Sequence, residues 1–174
     1  MERGNDFLKT QIRAATAQHL AFFKALEDHE SEADDARYRD LCTRYIPTMR
    51  DHQRMLEDYQ SELQATYAGI LTRTVAITAD ATRNFADAAR ESDYARLLND
   101  LAMSRQAESN FRIFRDGGRA IGLRHLAQIG QTGEREHDAY RRDANRLAQQ
   151  MFVERARTAD GRGATKKSET DARP

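Results

Sequence analysis

Apolar side chains recur at three- and four-residue spacing along four separate stretches of this chain, and this periodicity limits the fold more than any other feature. The first stretch reads Leu8, Ile12, Ala15, His19, Phe22, Leu26, His29, and the second Tyr38, Leu41, Tyr45, Met49, His52, Leu56, Tyr59, Leu63. A third carries Tyr94, Leu97, Leu101, Ser104, Glu108 and Phe111, and a fourth Leu126, Ile129, Gly133, His137, Tyr140, Ala144, Leu147 and Met151. Steps of three and four residues put each set on one face of an α-helix. Long helices with one apolar face bury it against each other, so the spacing predicts an all-α fold, an antiparallel four-helix bundle.

Within each stretch an interior seam position holds His or Glu instead of an apolar residue: His19, His52, Glu108 and His137, with His29 closing the first. A polar group on a packing face must find a partner there, because a buried group left unpaired costs about 1–3 kcal/mol, and more if charged. A bound metal ion is one way to satisfy such groups. A hydrogen-bonded core, with His52 on a Tyr and Glu108 on His125 or an Arg, is another.

The first helix is expected from Asn5 or Asp6 to about Glu30, and the second from about Asp34 to the mid-sixties, with a kink where Pro47 removes a backbone donor. Residues 64–92 show a weaker period, read as a long connection with a short fifth helix. Ser92 or Asp93 caps the next helix, which Gly117-Gly118 should end. The last helix is expected from near Arg119 to about Arg155, with Gly122, Gly130 and Gly133 marking close approach to a neighbour. The chain thus divides into a helical domain over 1–156 and a polar tail over 157–174 that lacks apolar periodicity and is expected to be disordered.

Balanced charge, 28 basic against 28 acidic residues, gives no global field toward nucleic acid. No segment has the run of about eighteen apolar residues that a membrane helix requires. The single Cys42 reads as a small buried hydrophobe in a reducing compartment, and the N-terminal residues lack the pattern of a secretory leader, so a cytoplasmic, bacterial protein is expected. Arg112, Arg115 and Arg119 read as a solvated helix end.

Inward-facing His and Glu from several helices are the donor set of a metal site within a bundle, with Tyr45 and Tyr59 as neighbours. If the two hairpin turns lie at opposite ends, counting residues from them sets His19, Glu108 and His125 at similar depth. The same count sets His52 a turn or two lower and His137 closer to the other end. Against that count stands Glu134-Arg-Glu-His137, which puts a carboxylate and an imidazole about a turn apart on one side of the last helix.

With this pair, and with a helical hairpin, a long connection and a second hairpin in order, the chain resembles the ferritin-like superfamily of carboxylate-bridged di-iron bundles, the rubrerythrin and bacterioferritin kind. The resemblance covers residues 5–155 as architecture. It implies that His19 stands at the first-helix carboxylate position, that Glu108 is the third-helix carboxylate, and that Glu134 and His137 are the final pair. His52 is preceded three residues earlier by Met49 where the family has Glu. Iron or another divalent metal, and a stress or storage role, follow from the resemblance. A hemerythrin-like site does not fit, because the residue four after His52 is Leu56. The competing expectation is a non-catalytic interaction module without cofactor, pairing with another copy or a helical partner through exposed apolar residues such as Phe23 and Phe152.

Overall fold

The computed structural model describes residues 2–66 and 92–170. They form four helices: α1 Glu2–Glu32, α2 Ala36–Thr66, α3 Asp93–Ala120 and α4 Arg124–Thr170. The expected connection and fifth helix fall almost wholly within 67–91, outside the described residues.

Local chemistry explains the boundaries. Asp35 opens α2, its carboxylate accepting from the Arg37 amide at 2.9 Å while its own amide donates to the Asp93 carboxylate at 2.7 Å. One acidic residue thereby caps a helix and ties the α1–α2 turn to the start of α3. Ser92 is the N-cap of α3, its hydroxyl accepting from the Ala95 amide at 3.3 Å. Helix α2 is continuous through Pro47. Helix α3 also continues through the Gly117-Gly118 pair that was expected to end it. The turn comes instead at Gly122, the position with φ of +77°, where a side chain would be strained. As a result α4 starts at Arg124, not near Arg119.

Glycine serves packing at that end of the bundle. A Cβ on Gly118 would lie 2.8 Å from the Ala127 amide nitrogen, and one on Gly130 would lie 2.2 Å from that of Arg115. A Cβ on Gly133 would lie 2.4 Å from the Phe111 ring. The backbones of α3 and α4 approach along this glycine track, as the sequence suggested for Gly130 and Gly133.

Cross-helix pairs fix the topology. Glu32 pairs with Arg96 and Gln18 with Asn110, so α1 and α3 are antiparallel neighbours; Tyr45 bonds Asp143 and His125 bonds Glu62, so α2 and α4 are too. The α1–α2 turn lies beside the start of α3, and the α3–α4 turn lies at the opposite end, beside the end of α2. Thr66 and Ser92 therefore lie at opposite ends of the bundle. The interior forms two apolar clusters. One contains Phe22, Leu26, Tyr38, Met49, Leu97 and Tyr140; the other contains Ile12, Leu56, Tyr59, Phe111, Leu126 and Ile129. Between them lie His19, His52, Ser104 and His137, each almost inaccessible to solvent.

One further expectation is corrected. Phe23 is buried, with Lys24 and Arg50 over its ring, whereas Phe152 is exposed as expected. Helix α4 runs on to Thr170, so the backbone is helical over most of the segment read as a disordered tail. The packed face still ends at Met151, since residues 152–158 are all exposed. Among the described residues no helix is long and apolar enough to cross a membrane.

Candidate metal centre

His19 of α1, His52 of α2 and His137 of α4 meet in the layer between the two apolar clusters. One nitrogen from each ring lies within 4.8 Å of the other two. Ring centroids are 5.8 Å apart for His19 and His52, and 5.3 Å for each of the other two pairs. The Phe111 ring lies 5.3–5.8 Å from all three, and Phe22 packs on His19 and His137. Phe22 and Phe111 thus wall the imidazoles with aromatic rings.

Each imidazole has one nitrogen bonded away from the group and the other without a partner. His19 Nδ1 is 3.0 Å from Gln53 Oε1, His52 Nε2 is 2.7 Å from Glu136 Oε2, and His137 Nδ1 is 3.1 Å from Ser104 Oγ. The nitrogens left over are His19 Nε2, His52 Nδ1 and His137 Nε2.

Two of the three tautomers follow from these partners. Gln53 donates its amide nitrogen to Glu57 at 2.7 Å, which turns its oxygen to His19; that oxygen only accepts, so His19 Nδ1 carries the hydrogen and Nε2 a bare lone pair. Glu136, an ionised acceptor, likewise fixes the hydrogen on His52 Nε2 and leaves Nδ1 bare. The Ser104 hydroxyl can accept from His137 Nδ1, which frees Nε2 in the same way. An outward N–H bond that orients the ring and raises the basicity of the other nitrogen is the usual support of a metal-bound histidine.

Burial keeps the group neutral. Loss of solvation, then the charge of His52, pushes the His19 pKa down to about 4, with the Gln53 bond opposing. Burial also lowers His52, against its bond to Glu136, and lowers His137 well below the ordinary range with the help of His19 and His52. At neutral pH all three present lone pairs, the state that binds metal. The Glu136 carboxyl is held below its usual range: burial pushes it up, but bonds from Arg135 and His52 outweigh that.

The structure does not bring the other expected ligands to this group. Glu108 lies one turn beyond Ser104 on α3, but its oxygens are taken by Arg112 at 3.1 Å and Arg141 at 3.0 Å. Glu134 is held by Arg112 and Arg115, away from the His137 ring. His125 is exposed in the first turn of α4, 3.0 Å from Glu62 and against Tyr59. The depth count supposed the turn placement that is observed but measured His125 and His137 from the wrong end, since α4 begins at the end of the bundle opposite the α1–α2 turn. His125 is therefore at that end, and His137 is carried about three and a half turns inward, level with His19 and His52. Sequence reasoning also missed Gln53 and Glu136, which lie beside seam positions and carry no periodic signal. Ser104 stood on the third seam without a role.

A second polar group lies deeper in the first apolar cluster, where Tyr38 donates to Asp100 at 2.5 Å and His29 Nδ1 lies 3.1 Å from the same oxygen. Burial raises the Asp100 pKa, against the bonds from His29 and Tyr38. Comparison with protein-family models, with curated proteins and with solved structures finds no match. Fold and site together therefore define the class on their own: an all-α bundle with a buried three-histidine layer.

Proposed function

We propose that this protein binds a single transition-metal ion at His19, His52 and His137. The observation that carries this reading is the directed set of lone pairs: three imidazoles from three helices, each anchored by one nitrogen, each with the other buried and unpartnered. Lone pairs crowded in a buried layer repel each other, and a cation relieves that cost. A purely hydrogen-bonded core, the competing reading, does not leave three acceptor-capable atoms of one layer unsatisfied.

Donor type selects the ion class. Nitrogen donors without a carboxylate or carbonyl suit zinc, copper, iron, cobalt or nickel and are poor ligands for magnesium and calcium. Nitrogens about 2.0–2.1 Å from a metal stand roughly 3.4–3.6 Å apart, within the 4.8 Å bound. A ferritin-like stress or storage role remains a proposal at the level of architecture. It is supported by hairpin turns at opposite bundle ends, but its carboxylate ligands are engaged with arginines here.

Elemental analysis of protein purified without chelator, repeated after loading with Zn²⁺, Co²⁺ or Cu⁺, tests the reading. One ion per chain and a rise in melting temperature are expected, since a ligand of the folded state stabilises by mass action. His137→Leu should abolish uptake while keeping or raising the stability of the metal-free protein, because Ser104 can turn its hydroxyl to a backbone carbonyl. Glu108→Ala should leave uptake unchanged. Failure of the parent to take up any of these ions would refute the site, as would full uptake by His137→Leu.

A further inference from the structure

The geometry points to monovalent copper as the ion of this site, held by three imidazoles with Phe111 in the place of a fourth ligand. This inference rests on the metal-binding reading above and adds the choice of ion.

The ring positions carry it. A point equidistant from three centroids at 5.3, 5.3 and 5.8 Å lies about 3.2 Å from each. A metal–nitrogen bond of about 2.0–2.1 Å, plus roughly 1.1 Å from nitrogen to ring centre, gives the same length. With each unpartnered nitrogen turned to that point, the triad is spaced for an ion close to the plane of the three ring centres. Phe111, at 5.8, 5.4 and 5.3 Å from the three rings, completes a near-regular tetrahedron of rings. Its centre stands about 4.5 Å from the ion position. A water or side-chain atom bound on that side at about 2.1 Å would come within about 2.4 Å of the Phe111 ring centre, well inside contact distance.

Phe111 cannot easily give way. Its ring packs on the bare backbone of Gly133, one turn before His137, so closely that even a Cβ there would lie 2.4 Å from it. It also packs edge-on against Phe114 at 6.4 Å. A fourth ligand is thus excluded on the Phe111 side, and Phe22, from the other apolar cluster, packs on His19 and His137.

Charge argues in the same direction. The three donors are neutral, the carboxylate bonded to them is the single Glu136 on His52, and the cost of burying an ion scales with the square of its charge. A divalent ion therefore pays roughly four times what a monovalent one does. Zinc is almost always four-coordinate in structural sites and keeps a water as its fourth ligand in three-histidine catalytic sites. A filled-shell monovalent ion has no such demand and is content with three nitrogens.

The test is competition between Cu⁺, kept reduced under anaerobic conditions, and Zn²⁺ on the full chain, with X-ray absorption to count ligands. Wild type should bind one Cu⁺ with three nitrogen neighbours and retain it against excess Zn²⁺. Phe111→His, which keeps a ring at the fourth vertex and supplies a fourth nitrogen, should shift the preference toward Zn²⁺ by about tenfold or more. It should also give Co²⁺ the intense visible absorption of a tetrahedral site. Phe111→Ala, which admits a water, should move the preference the same way. Tighter binding of Zn²⁺ than Cu⁺ by wild type, or a fourth ligand on its Cu⁺, would overturn the choice of ion alone. Preference unchanged in both variants would do the same. Binding of neither ion by wild type would remove the metal reading itself.

Discussion

Each of the three imidazoles is anchored by a different partner: the amide of Gln53, the carboxylate of Glu136 and the hydroxyl of Ser104. Because burial holds all three pKa values down in the folded state, the unfolded chain binds more protons below about pH 6.5. Stability from these groups is therefore complete above that pH and is lost as pH falls toward the folded values. For His19 alone, lowered to about 4, the loss is on the order of 3 kcal/mol. Urea titrations of the metal-free protein at pH 7.5 and pH 5 should show a large drop at the lower pH that His137→Leu reduces; parallel behaviour of parent and variant would contradict the burial argument. His19, His52 and His137 were legible in the sequence because each interrupts an apolar seam. Glu108 interrupts one too, but on a helix flank within reach of Arg112 and Arg141, and periodicity alone does not say which long cation will fold back on a carboxylate.

At the scale of elements, the α3–α4 hairpin is the most tightly joined pair, and glycine is the reason. A methyl group on Gly130 would meet backbone atoms of Arg115 and Phe111 at 2.2 and 2.5 Å, and neither can move without displacing α3. Gly130→Ala should cost about 3 kcal/mol or more and loosen Phe111, which circular dichroism melting would register; a cost below about 1 kcal/mol would mean the helices stand further apart. The two ends of this hairpin show what local sequence can and cannot fix. Ser92 was readable as a cap because its chemistry is local. Gly117-Gly118 resembled a stop, yet the helix passes through it, since Gly118 is needed for its contact with Ala127 and the left-handed residue is Gly122. That distinction is tertiary, and no window of sequence contains it.

At the scale of the whole molecule, the described residues form four helices that enclose two apolar clusters with the histidine layer between them, and residues 152–158 of α4 are exposed. Ending the chain after Arg157 should leave the melting temperature nearly unchanged, because the removed sequence carries no apolar stripe to bury; a fall of many degrees would show that the last segment docks on the bundle. The all-α class and the hairpin order were legible from four apolar stripes. The depth of His137 was legible as well, but only by counting α4 inward from the end opposite the α1–α2 turn, where it starts. The central claim is that His19, His52 and His137 together hold one ion. X-ray absorption on the metal-loaded protein tests it most directly. Three imidazole nitrogens at about 2.0 Å are expected, with one imidazole lost in His137→Leu if any ion remains bound; a shell dominated by carboxylate oxygen, or one unchanged in that variant, would contradict it.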